Sequence, residues 1–245
     1  MTLTSIIIPT YNGRKLLEAC VESIRQHTAS PYEIIVVDNA SDDGTAAYCR
    51  KNRLTFISLP ENRGFPAACN VGLQLASGDD LLLLNNDVIV SHDWLSNLKR
   101  ALYSAPEVGI VGPVTNYASG RQQVRTSYSD MPGFHAEALA ANVPDPVKWQ
   151  ETVRIVGLCF LFKRTVFDRV GLLDERYSPG HYEDDDYCYR ARLKGFRLLI
   201  GGDCLVHHEG SASFKQVYSA ELQELVERNR KIFIEKWHLD PAQFI

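Results

Sequence analysis

The stretch TSIIIPTYN, residues 4–12, shows the pattern on which the fold prediction depends. An apolar run ends at Pro9 and gives way at once to the polar residues 10–12. A short, wholly apolar run that stops at a proline is typical of a buried β-strand. The next segment, GRKLLEACVESIRQ, places apolar residues at helical spacing. The sequence therefore opens with a strand followed by a helix.

The same alternation continues to about residue 112. Apolar runs recur at EIIVVD (33–38), LTFISL (54–59), DLLLLN (80–85) and VGIVG (108–112). Helical patterns lie between them, at about 41–52, 66–76 and 93–103. Wholly apolar strands that alternate with helices indicate a parallel sheet covered on both faces. We predict an α/β fold with a mostly parallel central sheet flanked by helices.

Polar residues follow these predicted strands. Thr10 follows the first strand, Asp38 ends the second, and Asn85, Asn86 and Asp87 follow the fourth. The polar cluster ENRG, residues 61–64, comes soon after the third. Ligands of open α/β sheets bind at the carboxyl ends of the strands. We therefore expect these side chains to meet at one edge of the sheet.

The pattern changes in the second half of the chain. Residues 114–150 show no clear period and are predicted to be irregular, and residues 152–164 are predicted to form one long strand. The runs FRLLI and CLVHH predict two short strands. Residues 218–237 form an amphipathic helical pattern. This helix has three alternative roles: covering the core, forming a homodimer, or contacting a membrane surface.

Composition excludes several classes of protein. The 245-residue chain has a formal net charge of −4, which does not favour a nucleic-acid partner. Its six cysteines form no CxxC pair, and we expect reduced, mostly buried thiols rather than a zinc site. No signal peptide is visible and the apolar runs are too short to span a membrane. We therefore expect a soluble, cytoplasmic protein.

Two motifs suggest a metal site. The carboxylate of Asp87, at a strand end, suits Mg²⁺ or Mn²⁺, although Asp is also common in turns. The adjacent His207 and His208 point to opposite faces if they continue a strand, so one of them can face the cleft as a ligand. A histidine in this position can equally have a structural role.

The acidic run in HYEDDDYCYR, residues 181–190, is predicted to open a helix that ends near Gly195. Asp186 and Arg190 are four residues apart and can pair on that helix. Asp184 has no obvious partner in the sequence, and an ionised carboxylate beside a substrate hydroxyl can act as a general base. The alternatives are a solvated helix start and a calcium site.

Taken together and in order, the motifs resemble family 2 glycosyltransferases with the GT-A fold, and most of all their rhamnosyltransferase-like branch. The motifs are SIIIPTYN, IIVVDNASDDGT, ENRGFPAACNVGL, LLLLNND, GLCFLFKRTVFDRVGLLDE, YEDDDYCYRARLKGF and HHEGSASF. The resemblance covers roughly residues 4–215. It implies a catalytic domain over 1–215, with a nucleotide-binding half to about 112 and an acceptor-binding half from about 113. Residues 216–245 would be a C-terminal helix packed on or extending that domain.

The resemblance also implies roles for individual residues. Asp87 and His208 would bind Mg²⁺ or Mn²⁺, with His207 as the alternative histidine. Asn85 stands where the family's DxD motif has its first aspartate, which removes one anionic ligand. The implied nucleotide-binding residues are Pro9, Thr10, Tyr11, Asn12, Asp38, Asn62, Arg63 and Asn86.

For the reaction, the resemblance implies inverting transfer of a sugar from a UDP-sugar or dTDP-L-rhamnose to an acceptor hydroxyl. Asp184 would be the base, and Gly157 and Glu183 would contact the sugars. The acceptor would be a glycan, a lipid-linked glycan or a protein, in the assembly of cell-surface polysaccharide. An NAD-dependent enzyme would need a glycine fingerprint after the first strand, and a nucleotidyltransferase a glycine-rich basic loop; IIIPTYNGRK has neither. A non-catalytic sugar-nucleotide binding module is the main alternative.

Overall fold

A computed structural model describes residues 2–210 and 222–244 of the chain. The strands of this part are β1 Thr4–Thr10, β2 Tyr32–Asp38, β3 Thr55–Ser58, β4 Asp80–Leu84, β5 Val88–Ile89, β6 Val108–Thr115, β7 Trp149–Thr152, β8 Cys159–Lys163 and β9 Arg197–His208. The α-helices are α1 Arg14–His27, α2 Thr45–Lys51, α3 Phe65–Leu75, α4 Trp94–Leu102, α5 Met131–Ala141, α6 Arg164–Val170, α7 Glu183–Leu193 and α8 Leu222–Trp237. Short 3₁₀ helices lie at Gly120–Gln122, Pro146–Lys148, Glu175–Tyr177 and Pro241–Phe244.

These strands form one mixed sheet in the order β3-β2-β1-β4-β8-β6-β9-β5, with β7 paired to β9. The first four strands are parallel to one another. β8 runs antiparallel to both β4 and β6, while β6 and β9 are parallel. Most of the strands therefore share one direction, and the predicted α/β architecture is confirmed.

The apolar runs fill two separate layers because successive side chains of a strand point to opposite faces. In β1, Ile6 and Ile8 pack into the layer that contains apolar residues of α1 and α4. Ile7, between them, packs into the opposite layer, with residues of α3 and α7. All three side chains are fully buried. This arrangement explains why the middle of β1 is apolar at consecutive positions and why the chain becomes polar again where the strand ends, at Thr10.

The structure corrects three predictions for the second half. Residues 114–150 are not wholly irregular, because they contain α5, whose start is capped by the Asp130 side chain accepting from the Gly133 N–H. The predicted strand 152–164 is broken into β7 and β8, and residues 154 and 156–158, which lie between them, border the cavity described below. FRLLI and CLVHH form a single strand, β9. Its pairing with β6 continues through a register shift, since Pro113 lies opposite Gly201 and Val114 lies opposite Leu205.

The C-terminal helix packs against the rest of the chain. Phe233 of α8 is fully buried, and Asn229 is equally inaccessible. Lys236 and Trp237 both reach the Asp186 carboxylate, at 2.7 and 2.8 Å. In the described ranges no helix is long and apolar enough to cross a bilayer. Residues 211–221, which include the end of the HHEGSASF motif and the predicted helix start at 218, lie outside the described residues.

Candidate active site

A cavity of about 600 Å³ opens at the carboxyl ends of β1 and β4, as expected for a parallel sheet. Its wall combines residues from both halves of the chain. Of the predicted site residues, those on the wall are Pro9, Thr10, Tyr11, Asn62, Asn86, Asp87, Gly157, Glu183, Asp184 and His208. Residues separated by up to about 200 positions therefore meet in one cavity.

Three predicted nucleotide-binding residues do not line the cavity. The buried Asp38 carboxylate accepts hydrogen bonds from the Ser41 N–H and the Ser58 hydroxyl, at 3.0 and 2.9 Å. Arg63 forms a 3.0 Å ion pair with Glu175, and about half of its side chain is exposed. The Asn12 side chain accepts from the N–H of Asp42. These side chains brace the loops around the cavity.

Near the end of β1, the Asn86 side chain is held in a fixed orientation. Its side-chain amide donates to the Thr10 hydroxyl at 2.8 Å. Gly13 lies beneath this pair, and a Cβ added to Gly13 would come within 2.5 Å of the Asn86 side-chain nitrogen. The absence of a side chain at residue 13 is therefore what allows Asn86 and Thr10 to approach each other.

Asp87 and His208 face one another because of strand register. β5 pairs antiparallel with β9, and Val88 lies opposite His208, so Asp87 is brought beside the imidazole. The Asp87 Oδ1 and His208 Nε2 atoms are 3.3 Å apart, and both side chains are almost completely buried. His207 points elsewhere and contacts the Tyr128 hydroxyl at 2.8 Å. The predicted divergence of the two histidines is confirmed.

The hydrogen bonds of His208 show what the pair can bind. Its Nδ1 lies 2.8 Å from the Tyr117 carbonyl oxygen, which can only accept, so Nδ1 carries a proton. In the neutral ring Nε2 then presents a lone pair to the Asp87 carboxylate. Burial opposes protonation of the ring, but the Asp87 carboxylate and the Tyr117 carbonyl outweigh it and raise the pKa of His208. Two electron-pair donors that face each other suit a shared cation.

These residues fit a divalent metal ion, although they supply few ligands. A carboxylate and a neutral imidazole are suitable ligands for Mn²⁺. In the described part of the chain no group of three or more His, Cys, Asp and Glu side chains is arranged to hold a metal. Asn85, which also lines the cavity, offers no carboxylate.

The Asp184 carboxylate lies on the wall of the cavity, in the first turn of α7. Its Oδ2 accepts from the Gly157 N–H at 2.8 Å, and its Oδ1 accepts from the Asp185 N–H at 2.9 Å. Asp184 is only half-buried, whereas its neighbours Glu183 and Asp185 are buried. The two backbone hydrogen bonds fix the orientation of the carboxylate and leave lone pairs on both oxygens for a ligand.

The other acidic residues of the run have different partners. Asp185 binds Arg154 through two contacts, at 2.7 and 3.3 Å. Asp186 pairs with Arg190 at 2.7 Å, which confirms the predicted i, i+4 pair. Glu183 has a buried carboxyl oxygen, Oε2, for which no hydrogen-bond partner is placed among the described residues. Burial, and then the charge of Asp184, raise the pKa of Glu183 well above its usual range. The protonated, neutral form of the Glu183 carboxyl is therefore favoured in the folded chain.

Arg154 was not predicted from the sequence, yet it lines the cavity. It belongs to the bend between β7 and β8 and also donates to the Ser119 hydroxyl at 2.9 Å. Its pairing with Asp185 offsets part of the negative charge beside Asp184. No local pattern predicts this contact, because the two partners are 31 residues apart.

Comparison with known proteins agrees with this geometry. The sequence model of glycosyl transferase family 2 matches residues 5–171. The chain belongs to glycosyl transferase family 2. The resemblance seen in the motifs is thereby confirmed at the level of the family, whereas the rhamnosyltransferase-like branch stays a prediction.

One curated relative of this family 2 protein is the O-antigen biosynthesis protein RfbC of Myxococcus xanthus. It is 28% identical over 85% of the chain, but the chain spans only 17% of its length. Two solved structures have the same fold. A mannosyltransferase of Pyrobaculum calidifontis, in complex with GDP-Man and Mn²⁺, is 24% identical with a TM-score of 0.65, over 84% of this chain and 56% of that one. S. aureus TarS 1–349, in complex with UDP-GlcNAc, is 19% identical with a TM-score of 0.65, over 98% and 68%.

Proposed function

We propose that the chain transfers a sugar from a nucleotide-diphosphate donor to an acceptor hydroxyl, with inversion at the anomeric carbon. The observation that carries the proposal is the placement of Asp184. A half-buried carboxylate, oriented by two backbone N–H groups, lines the same cavity as the Asp87–His208 pair. This arrangement supports a base and a site for a diphosphate-bound cation in one cavity.

The proposed reaction is a single displacement. The acceptor oxygen forms a bond to the anomeric carbon while the bond from that carbon to the diphosphate oxygen breaks. The nucleoside diphosphate leaves with the electron pair of the broken bond, and the acceptor proton passes to the Asp184 carboxylate. Asp184 is not a covalent nucleophile. The Glu183 carboxyl, whose pKa is raised by burial, could donate a hydrogen bond to a sugar oxygen in its protonated form, and Gly157 lines the same cavity.

The proposed metal ligands are Asp87 and His208, and the ion is Mg²⁺ or Mn²⁺. When bound, such an ion would supply positive charge that neutralises the leaving diphosphate. The missing first aspartate, Asn85, implies that the donor diphosphate supplies more of the coordination than in sites with two carboxylates. The Mn²⁺ in the mannosyltransferase complex supports a metal of this type.

The family relation and the O-antigen relative support a role in cell-surface glycan assembly. The proposed acceptor is a sugar hydroxyl of a growing glycan, free or lipid-linked. The solved relatives hold donors with different bases, GDP-Man in one and UDP-GlcNAc in the other. The donor screen must therefore include guanosine as well as uridine and thymidine nucleotides.

The proposal is tested by calorimetric titration with UDP, dTDP and GDP, each with and without Mn²⁺. Binding that strengthens with Mn²⁺ is the expected result, and the preferred base selects donors for a nucleotide-release assay. Release of nucleoside diphosphate from a matching sugar donor distinguishes an enzyme from a non-catalytic binding module. If no nucleotide binds under any condition, the proposed function is wrong.

A further inference from the structure

The segment that leads into the proposed base has an unusual backbone. His181 and Tyr182 have φ angles of 74° and 72°, in the left-handed region that side chains other than glycine rarely adopt. Both residues line the cavity, and Asp184 follows two positions after Tyr182. Such a conformation persists only where the surrounding structure holds it. The contacts of this loop, residues 177–182, therefore bear on where Asp184 lies.

One side chain holds much of this loop. The Asn229 amide nitrogen of α8 donates to the backbone carbonyls of Tyr177 and Gly180, each at 2.7 Å, and to that of His181 at 3.0 Å. Asn229 is fully buried. An amide nitrogen has two N–H groups, so one of them is shared between two carbonyls.

The orientation of the Asn229 amide follows from its other contacts. Its oxygen accepts from the Arg228 guanidinium at 2.8 and 3.0 Å, and a guanidinium can only donate. The opposite orientation would place the amide oxygen against three carbonyl oxygens. Arg228 also donates to the Ser178 carbonyl, so it reaches the same loop directly.

The same helix holds the chain on the other side of Asp184. Trp237 donates from its indole nitrogen to the Asp186 carboxylate at 2.8 Å, and Lys236 pairs with that carboxylate at 2.7 Å. The base therefore lies between two anchors, at His181 and at Asp186, that both come from α8. Val226, on the same helix, lines the cavity.

Other contacts hold the first part of the loop. The Phe65 N–H donates to the Pro179 carbonyl at 2.8 Å, and the Ser178 hydroxyl donates to the Arg63 carbonyl at 3.0 Å. These bonds tie residues 178–179 to the nucleotide side. Of the two left-handed residues, His181 is the one whose carbonyl Asn229 reaches.

We propose that α8 completes the active site and that Asn229 is a positioning residue, which sets the place of Asp184 through the 177–182 loop. The inference rests on the proposed function, because it assigns Asn229 a part in placing the base. It extends the site to a helix outside residues 5–171, the range matched by the family. A displacement of about 1 Å in a reacting group can lower a rate by roughly a hundredfold, so a loosened loop has a measurable cost.

The test compares Asn229→Ser and Asn229→Asp with the wild-type chain. Gln223→Glu is the control, because it adds the same charge as Asn229→Asp at an exposed position on the same helix. Trp237→Phe is the second variant, since it removes the hydrogen bond to Asp186 and keeps an aromatic ring beside Tyr189. If the Asn229 variants do not fold, Trp237→Phe still tests whether contacts from α8 place Asp184.

Two readouts separate positioning from a merely structural role. Amide hydrogen exchange across residues 177–186 is expected to accelerate in the Asn229 variants, and that across β2 to stay unchanged. In nucleotide release from the sugar donor that the titration above selects, kcat is expected to fall roughly ten- to a hundredfold. The Kd for the nucleotide with Mn²⁺ is expected to stay within about twofold, because the variants leave the β1 and β4 ends intact. A structural role alone would lower Tm and leave kcat of the folded protein unchanged.

The proposal is overturned if folded variants show unchanged exchange at 177–186, or an unchanged kcat. It is also overturned if kcat and nucleotide affinity fall together. A wild-type chain that releases no nucleotide from any donor would contradict the proposed function instead. In that case the exchange data would still show whether Asn229 holds the loop. The proposed role of Asn229 in placing a base would then be wrong, because Asp184 would not be a base.

Discussion

Gly157 donates its backbone N–H to the Asp184 carboxylate across 2.8 Å, and this bond joins two elements on which the proposed chemistry depends. Gly157 lies in the bend between β7 and β8, and Asp184 lies in the first turn of α7. A Cβ added to Gly157 would lie 3.5 Å from the Cβ of Asp184, an ordinary contact. The bond uses the main chain, so it places the carboxylate without occupying the cavity.

Replacing Asp184 by Asn should abolish sugar transfer while leaving nucleotide binding intact. The amide keeps the size of the side chain but cannot accept the acceptor proton. General base catalysis typically contributes about 10²–10⁴ in rate, so kcat should fall by that range. The measurement is kcat for nucleotide release together with the calorimetric Kd for the nucleotide.

Asp168→Asn is the matched control, because Asp168 is exposed and lies on α6, away from the cavity wall. It makes the same chemical change and should leave kcat unaltered. Retention of turnover in Asp184→Asn would exclude Asp184 as the base, whatever its position in the cavity.

Removing the proposed metal ligands should weaken nucleotide binding only when metal is present. The Asp87→Ala and His208→Ala variants each lose one of the two donors that face each other across 3.3 Å. Their Kd for the nucleotide in Mn²⁺ should approach the metal-free value of the wild type, and their metal-free Kd should change little. Calorimetry in Mn²⁺ and in a chelator measures both values.

The neighbouring histidine provides the control for this experiment. His207→Ala removes an imidazole from the adjacent position, where it contacts Tyr128 rather than Asp87. Its Mn²⁺-dependent gain in affinity should equal that of the wild type. An equal loss in His207→Ala and His208→Ala would show that the effect comes from disturbance of β9 and not from loss of a ligand.

Adding a methyl group at Gly13 should weaken nucleotide binding without unfolding the chain. The new Cβ would lie within 2.5 Å of the Asn86 side-chain nitrogen and would push the amide away from Thr10. Overpacking of this kind typically costs about 1–3 kcal/mol. Gly201→Ala is the control, because the nearest atom to its added Cβ is 3.4 Å away. Equal nucleotide Kd values for Gly13→Ala and the wild type would remove the Asn86–Thr10 pair from the binding site.

Local sequence patterns were sufficient to predict the first half of the fold. The apolar runs of β1, β2 and β4 each give way to polar residues at the strand end or directly after it, and both features can be seen in a few consecutive letters. The start of α5 could also have been found, because Asp130 followed by a proline in the first helical turn is a common helix start. Its weak periodicity hid it among the irregular residues.

Contacts between distant residues could not be predicted in the same way. The Asp87–His208 approach depends on the register of β5 with β9, and β5 is only two residues long. Asn229 reaches a loop about 50 residues earlier, and an asparagine within an amphipathic helix carries no signal of such a partner. Asp38 shows the opposite case: its position at a strand end was evident, but its carboxylate binds Ser41 and Ser58 instead of lining the cavity.

The stability of the chain should depend on pH through Glu183. Burial and the charge of Asp184 raise the pKa of Glu183 above that of a glutamate in the unfolded chain. A carboxyl group of this kind stabilises the fold fully below the unfolded-state value of about 4.3, and the contribution is lost as pH rises through the folded-state pKa. Glu183→Gln stays neutral at every pH and should lack this loss.

The expected result is therefore a difference in slope between two curves of Tm against pH. The scan runs from pH 5 to pH 9, on either side of neutrality. As the pH rises, the wild-type Tm should fall relative to the Tm of Glu183→Gln. Each tenfold change in the acid dissociation constant on folding corresponds to about 1.4 kcal/mol. For a chain of this size, 1 kcal/mol shifts Tm by roughly 2–4 °C. Glu227→Gln, on the exposed side of α8, controls for loss of a surface carboxylate. Parallel curves for the wild type and Glu183→Gln would show that Glu183 does not hold its proton in the folded chain, and would remove it as a donor to a sugar oxygen.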